Sequence, residues 1–178
     1  MEIIFAIFVE NQCYMPNLIN KVELRNLQIE DYKELKKSMI ESYPEMVNSY
    51  WKEDHIEKLL ELFPEGQLVI VADGVVVGSA LSILVTEDFA FKTKTYKSIT
   101  GNYTFSTHNP DGEVLYGIDV FINPNYRGLR LGRRLYDSRK ELCEQLNLKS
   151  IIFAGRIPNY GKYAHEINPK QYIEKVKR

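Results

Sequence analysis

Four arginines cluster in a stretch of the sequence that also contains glycines. They lie within Tyr-Arg-Gly-Leu-Arg-Leu-Gly-Arg-Arg-Leu, at Arg127, Arg130, Arg133 and Arg134. The last three fall where an amphipathic helix is predicted to begin, although the positive end of the helix dipole normally favours acidic residues there. Backbone N–H groups at such a helix end bind phosphate, and Gly128 and Gly132 would let an anion approach closely. The pattern therefore predicts a site for a small anion, for which a pyrophosphate group fits best.

A second interpretation of this cluster is open, in which the arginines point into solvent or pair with carboxylates such as Asp137 and Glu141. The sequence contains neither the P-loop pattern Gly-x-x-x-x-Gly-Lys-Ser/Thr nor an early Rossmann pattern Gly-x-Gly-x-x-Gly. ATP and NAD are therefore poor candidates for the anion.

Asp119 is the residue best suited to acid–base chemistry. It interrupts the apolar run of residues 115–122, where poor solvation would raise the pKa of a carboxyl group and suit it to act as a general base. The other interpretation is that Asp119 is buried and hydrogen-bonded to a neighbouring loop for structural reasons. Cys13, Cys143 and three scattered histidines show no metal-ligand spacing, so we expect no metal and no disulfide.

The composition fits one globular domain rather than a nucleic-acid- or membrane-binding protein. The 178 residues are 44% hydrophobic and 26% charged, and a net charge of −1 gives no general attraction to nucleic acid or anionic lipid. Two free thiols fit a reducing compartment, so we expect a cytoplasmic protein with neither nucleic acid nor membrane as a partner.

The N-terminal residues differ in pattern from the rest of the chain. The apolar run of residues 3–9 lacks the positive flank of a signal peptide and is too short to span a bilayer. The regular pattern begins near Lys21. We therefore expect residues 1–20 to be an N-terminal extension, with Met15 as the natural start, and residues 21–178 to form a single domain.

Hydrophobic periodicity predicts a mixed α/β domain. Apolar runs, some of them alternating, predict strands at residues 21–27, 67–72, 75–85, 115–122 and 150–154. Helical spacing predicts helices at residues 30–43, 51–63 and 131 to about 147. The dipeptide Asp73-Gly74 predicts a hairpin, and the last strand-helix-strand unit should be parallel. Residues 86–112 read as a long polar connection of the kind that is usually functional or mobile.

These residues together resemble the GNAT superfamily of acetyltransferases. A strand ending Asp-Val-Phe-Ile, then Asn-Pro-Asn-Tyr, then Arg-Gly-Leu-Arg-Leu-Gly and an amphipathic helix, is similar to the acetyl-CoA loop of that family, whose pattern is Arg/Gln-x-x-Gly-x-Gly/Ala. The element order from Lys21 to Ala154 resembles the GNAT fold, a mixed sheet with helices on both faces. The GNAT fold continues after this point with a helix and two more strands, and the resemblance implies that residues 164–177 are that helix. Because the sequence ends at Arg178, we expect a C-terminally truncated domain without the last two strands. From Val22 onward the chain is similar, more narrowly, to the N-terminal GNAT-like domain of bacterial proteins fused to a carbon-nitrogen hydrolase (nitrilase-type) domain.

The resemblance implies acetyl-CoA as co-substrate, a small-molecule or peptidic amine as acceptor, and a carbon-nitrogen hydrolase domain or chain as a partner. Asp119 would be the base, and Tyr160 or Tyr163 the acid for the leaving thiolate. The residues implied in binding the cofactor are Val120, Ile122, Arg127, Gly128, Leu129, Arg130, Leu131, Gly132, Arg133 and Asn159. Arg130 departs from the family pattern, which has Gly there, and a positive φ at that residue would cost roughly 1 kcal/mol.

Two functions from different classes are compatible with the sequence. One is an enzyme that transfers an acetyl group from acetyl-CoA to an amine by direct attack on the thioester, which Asp119 and the strand-loop-helix unit favour. The other is a non-catalytic acyl-CoA-binding or docking module associated with a carbon-nitrogen hydrolase, which Arg130 and the poorly spaced Tyr160 and Tyr163 favour. An inactive fragment is a third interpretation.

Overall fold

A computed structural model describes residues 19–176, apart from residues 45, 47, 49, 94, 156 and 158. The predicted extension of residues 1–20, its start at Met15 and the thiol of Cys13 therefore lie outside the described residues, except for the last two positions of the extension. Within the described part, one five-stranded sheet carries helices on both faces.

The sheet has its strands in chain order, β1-β2-β3-β4-β5. The strands are β1 (Val22–Asn26), β2 (Leu68–Ala72), β3 (Val75–Val85), β4 (Val114–Ile122) and β5 (Ser150–Phe153). The first four pair antiparallel, and β5 runs parallel to β4, which confirms the predicted parallel unit. Asp73 and Gly74 both have positive φ, as the tight β2–β3 hairpin requires, so the predicted hairpin is also confirmed.

Six helices complete the described part of the fold. They are α1 (Tyr32–Ser42), α2 (Glu53–Leu62), α3 (Glu87–Lys92), α4 (Tyr96–Ile99), α5 (Leu131–Gln145) and α6 (Pro169–Lys175). The long connection predicted at residues 86–112 contains two short helices, α3 and α4, which Thr86 and Thr95 cap. The predicted helix at residues 164–177 begins later, at Pro169, where Asn168 and Gln171 form a capping box.

Apolar side chains cover both faces of the sheet. On one face, Leu35 of α1 and Ile56 of α2 are fully buried in the largest core cluster. On the other face, Leu131 and Leu135 of α5 pack with Val77 and other residues of β2 and β3. Since α1 and α5 lie on opposite faces, any group on β4 is presented to one of two different environments.

β4 contains an irregularity near its middle. Leu81 is opposite Asp119 while the next residue of β3, Ser82, is opposite Gly117, so Ile118 is an extra residue on β4. Such a bulge moves the side chains that follow it to the opposite face of the sheet from the one that strict alternation would give. It is the reason why Ile118 and Phe121 both pack in the cluster under α1 and α2, whereas Val120 packs with the cluster under α5.

Candidate functional site

The arginine stretch forms the junction between β4 and α5. A short 3-10 turn, Pro124–Tyr126, leads into an extended Arg127, and α5 begins at Leu131. Gly128 has a φ of 85°, and nothing lies within 4 Å of the position that a side chain would take there. The Arg133 N–H donates to the Arg130 carbonyl oxygen at 3.1 Å, whereas the N–H groups of Leu131 and Gly132 have no backbone partner among the described residues and are available at the helix end.

Arg130 adopts the left-handed conformation, with a φ of 57°, as the residue preceding the helix. The backbone thus takes the shape for which the family pattern has Gly, and an arginine pays the steric cost of that shape, about 1 kcal/mol. No acidic residue lies in the first turn of α5. The junction is therefore positive both in its backbone and in its side chains.

Pairing with carboxylates accounts for little of this positive charge. Arg133 Nε lies 3.8 Å from Asp137 Oδ2, and this side chain is largely exposed. Among the described residues, Arg127, Arg130 and Arg134 have no carboxylate within ion-pair distance. The arginines point outward around the helix end, so the solvent-exposed interpretation and the anion-site interpretation both fit the geometry of the unbound protein.

The second half of β4 has one open edge. Parallel pairing with β5 stops where Gly117 lies opposite Phe153, so residues 118–122 have no strand on that side within the described chain. On the other side, the Asn123 N–H donates to the Val77 carbonyl oxygen at 2.8 Å. Hydrogen-bonded pairs alternate in an antiparallel ladder, so the peptide groups of Val120 and Ile122 face the open edge.

Asp119 lies beside this edge, with its side chain on the face of α1 and α2. The Tyr43 hydroxyl donates to its Oδ1 at 3.0 Å, and the Trp51 indole N–H donates to its Oδ2 at 3.3 Å. Asp119 thus connects to both ends of the segment between α1 and α2. This geometry fits the structural interpretation of Asp119, and it also orients a half-buried carboxylate next to the open edge.

Aromatic side chains surround Asp119. The ring of Trp51 lies 5.4 Å from that of Phe105 and 6.2 Å from that of Tyr96. The Tyr96 hydroxyl donates to the carbonyl oxygen of the bulged Ile118 at 2.6 Å. Burial, together with the nearby Asp119 charge, raises the pKa of Tyr96, so this phenol keeps its proton. Tyr96 was not predicted as a site residue, and a tyrosine in a polar connection gives no signal that could have identified it.

The structure does not bring Tyr160 and Tyr163 to Asp119. The Tyr160 hydroxyl donates to the Ile167 carbonyl oxygen at 2.9 Å, and both rings pack on Tyr172 of α6. Asn159 is exposed in the left-handed conformation just before them. The contacts that the structure gives these residues are packing contacts within the C-terminal segment, and a role in the site stays a prediction for all three.

A buried arginine that was not predicted lies under the point where β4 and β5 separate. Arg139 of α5 is 1% exposed, and none of its three guanidinium nitrogens has a hydrogen-bond partner among the described residues. A side chain at Gly117 would overlap its Nη2 atom. The signal was present in the sequence, because Arg139 stands four residues after Leu135 at a position where the helical pattern calls for an apolar residue.

The described residues hold no group of three or more His, Cys, Asp or Glu side chains placed to bind a metal ion. None of the helices in this part of the chain is long and apolar enough to cross a membrane.

Comparison with known proteins agrees with this geometry. The family model described as the acetyltransferase (GNAT) family matches residues 32–166. The chain is 41% identical over 158 residues to the "Probable hydrolase YhcX" of Bacillus subtilis, covering 89% of this chain and 30% of the relative. It is 36% identical over 126 residues to the "Uncharacterized N-acetyltransferase YkwB" of the same organism, covering 71% of this chain and 56% of the relative. The chain therefore spans less than two thirds of each curated relative.

Solved structures share the fold at low sequence identity. The loading GNATL domain of CurA from Lyngbya majuscula has a TM-score of 0.74 at 22% identity, covering 89% of this chain and 76% of that one. The GphF GNAT-like decarboxylase in complex with isobutyryl-CoA has a TM-score of 0.65 at 15% identity, covering 86% of this chain and 76% of that one. From the family model, which covers most of the chain, and from a mixed five-stranded sheet with this topology, we conclude that the chain belongs to the GNAT family of acetyltransferases.

Proposed function

We propose that this domain transfers an acyl group, most simply acetyl, from a coenzyme A thioester to an amine. The observation that supports this proposal best is the open edge of β4, which joins the arginine junction at one end to Asp119 at the other. A thioester of coenzyme A has the matching features in the same order, with phosphates, then an amide-containing arm, then the reactive group. YkwB, which is named as an N-acetyltransferase, supports the same class of reaction.

The phosphates of the co-substrate would bind at the arginine junction. The Arg127 and Arg133 N–H groups donate to the Pro124 and Arg130 carbonyl oxygens, so the N–H groups of residues 128–132 would hold the pyrophosphate. The arginine side chains would add charge-assisted hydrogen bonds to it or to the 3′-phosphate. The pantetheine arm would lie along the open edge and pair its amides with the peptide groups of Val120 and Ile122, as an additional strand would.

The acceptor amine would approach on the face of Asp119. In direct transfer, the nitrogen lone pair attacks the thioester carbonyl carbon, the carbon–sulfur bond breaks with its electron pair on sulfur, and the nitrogen proton goes to a base. Asp119 is our candidate for that base because its carboxylate is oriented by Tyr43 and Trp51. The surrounding aromatic rings, including Tyr103 and Phe105, would form the wall of the acceptor site.

A second function is favoured by the relative YhcX. Its name is that of a hydrolase, and this chain spans only 30% of it. We infer as the alternative that the domain binds an acyl-CoA without catalysing transfer and docks on a carbon-nitrogen hydrolase, either fused or separate. The engagement of both Asp119 oxygens by Tyr43 and Trp51 is compatible with this alternative as well.

Calorimetric titration with acetyl-CoA, with dephospho-CoA and ATP as comparison ligands, tests the cofactor. We expect saturable binding that is strongest for acetyl-CoA. Val120→Pro removes an N–H from the open edge without breaking the bonds between β3 and β4, so it should weaken acetyl-CoA binding while the protein remains folded. Absence of binding by the folded protein would exclude both functions. Binding without amine-dependent release of free thiol, across a panel of small and peptidic amines, would favour the docking module.

A further inference from the structure

Arg139 is a buried cation that has neither a carboxylate nor a hydrogen-bond acceptor as a partner among the described residues. Arginine stays protonated in proteins, and a charge taken out of water is normally paired or hydrogen-bonded. Here the guanidinium is 1% exposed and has no hydrogen-bond partner among the described residues. Burial lowers the pKa of Arg139, while the nearby Tyr136 opposes that effect. Such a group is well suited to receive an anion that is present only part of the time.

The position of Arg139 indicates which anion this is. The guanidinium packs against β4 at Gly117, the last residue of β4 that pairs with β5. The rings of Tyr136 and Phe153 each lie 6.0 Å from its Cζ atom and flank it. Arg139 therefore lies under the vertex of the opening between the two strands, at the end farthest from the arginine junction.

A pantetheine arm that starts at the junction and follows β4 backwards passes Ile122 and then Val120, and ends at this vertex. If the proposed function is correct, the sulfur atom of the co-substrate is thus the part that reaches Arg139. Asp119 lies two residues after Gly117 in β4, and its side chain is on the face of the sheet opposite to Arg139. The thioester would accordingly lie between a base on one face of the sheet and a cation on the other.

We propose that Arg139 receives the coenzyme A thiolate that leaves during acyl transfer. When the amine attacks, the carbon–sulfur bond breaks, its electron pair goes to sulfur, and the amine proton goes to Asp119. The negative charge on sulfur then faces a guanidinium that is already oriented and dry, which is the arrangement that lowers the energy of a developing anion most effectively. This inference rests on the proposed function, and it supplies a stabilisation of the leaving group that does not depend on Tyr160 or Tyr163.

The test measures thiolate binding rather than turnover. Coenzyme A and desulfo-coenzyme A, which lacks the sulfur, are titrated into the whole chain by calorimetry, and the ionisation of the bound thiol is followed by its ultraviolet absorbance. We expect the thiol of bound coenzyme A to ionise about one pH unit lower than that of free coenzyme A. Tyr136 of α5 acts electrostatically on Arg139, Cys143 lies one helical turn further along α5, and Gly117 of β4 and Phe153 of β5 have no ionisable side chain. Tyr136→Phe removes the phenol, and the same titration without coenzyme A measures the absorbance of the protein's own thiols, so the change of the bound thiol is obtained by difference.

Arg139→Met is the deciding variant, and Lys140→Met is its matched control, because it removes an exposed positive charge from the same helix. We expect Arg139→Met to melt at the same or a higher temperature, since an unpaired buried charge is replaced by an apolar side chain. In this variant, the thiol of bound coenzyme A should ionise at the same pH as that of free coenzyme A. The dissociation constant for desulfo-coenzyme A should stay within about twofold of that of the unsubstituted chain. Lys140→Met and the charge-conserving Arg139→Lys should both keep the lowered ionisation.

Two results would overturn the proposal. One is a bound thiol that ionises at the same pH as the free thiol in the unsubstituted chain, which requires no variant to fold. The other is an Arg139→Met protein that is markedly less stable, because this would show that the guanidinium is held by a structural partner. By contrast, failure of the unsubstituted chain to bind either coenzyme A or its desulfo form would reject the proposed function itself.

Discussion

At the scale of single residues, one substitution separates the two proposed roles of Asp119, that of a general base and that of a structural hydrogen-bond acceptor. Asp119→Asn removes the basic oxygen but keeps a side chain of the same shape that can still accept a hydrogen bond. If Asp119 is the base, acyl transfer should fall by about 10²-fold or more while acetyl-CoA binding is unchanged. Steady-state transfer rates and calorimetric affinity are the two measurements.

Tyr43→Phe is the control for the structural role of Asp119. It removes the hydrogen bond to Oδ1 and leaves the carboxylate in place. A purely structural Asp119 predicts that the two variants lose similar thermal stability and that neither affects transfer selectively. Transfer by Asp119→Asn at the unsubstituted rate would rule out the base.

Arg130 is the residue at which local strain can be measured. Its φ of 57° favours glycine, so Arg130→Gly should raise the free energy of unfolding by about 0.5 to 1 kcal/mol in urea denaturation. Arg133→Gly makes the same change in the first turn of α5, where helical backbone favours any other residue, and should lower that free energy by about 1 kcal/mol.

The affinity of Arg130→Gly for acetyl-CoA should fall, because strained residues are kept where their side chains are used. Tighter binding by this variant would instead show that the arginine obstructs the phosphates. Equal stability of the Arg130→Gly and unsubstituted chains would contradict the assignment of strain.

At this scale, the sequence identifies residues whose type is unusual for their position. It does not identify residues whose importance depends on contacts with distant parts of the chain. Asp119 was found because a carboxylate stands out in an apolar strand. Arg139 is unusual in the same way, because it occupies a position of α5 where the pattern predicts an apolar residue. The four arginines that precede it gave a stronger signal, which pointed to the start of the helix instead. Tyr96 could not have been found, since its contact with Ile118 depends on where α4 lies in space.

At the scale of elements, His108 fastens the connection between β3 and β4 to the sheet. Its Nδ1 accepts the Leu84 N–H at 3.1 Å, and its ring stacks on Phe63. Burial lowers the pKa of His108 below its usual value of about 6.5. The folded protein therefore holds the neutral imidazole, and the unfolded chain takes up a proton first as the pH falls.

The resulting prediction concerns stability as the pH falls below about 6.5. The contribution of His108 is fully present above its unfolded pKa of about 6.5 and is lost as the pH falls from there toward its lower folded pKa. His108→Gln offers an acceptor that does not titrate, so its melting temperature should change less over this range. Carboxyl groups with lowered pKa, such as Asp31, act only below about pH 4 and do not interfere. An identical decrease in both proteins would show that another group is responsible.

The elements themselves were predictable where a strong local pattern coincides with tertiary packing. The bounds of β3 were predicted as observed, and those of the other strands within one residue or so, because their apolar runs are bounded by turn residues. The short helices α3 and α4 were missed because six and four residues give no measurable period. The bulge at Ile118 depends on the pairing between β3 and β4, so it could not be predicted from the sequence of β4 alone.

At the scale of the whole molecule, the sheet separates two chemical environments. Asp119 and its aromatic neighbours occupy the face of α1 and α2, whereas the arginine junction and Arg139 belong to α5 on the other face. The opening between β4 and β5 is the place where a bound ligand could contact residues from both faces of the sheet. Because the chain spans 30% of YhcX and 56% of YkwB, the activity and partners of a longer protein stay proposals.

The outer edge of β5 leads to a prediction about association. Within the described residues β5 pairs only with β4, and Phe153 and Tyr136 form an exposed aromatic pair beside it, with ring centroids 5.8 Å apart. An unpaired edge next to exposed aromatic surface tends to bind another strand. We expect the chain to elute at a larger apparent size as its concentration rises, and Phe153→Lys to stay monomeric, since charged side chains on an edge oppose pairing.

Phe91→Lys is the matched control for this experiment. Phe91 of α3 is 71% exposed, more than the 49% of Phe153, so it tests whether exposed aromatic area alone causes association. Association that survives Phe91→Lys but not Phe153→Lys would locate the interface at the outer edge of β5. The reverse result would place the interface on the face of α3, and the edge of β5 would then need no partner to explain it.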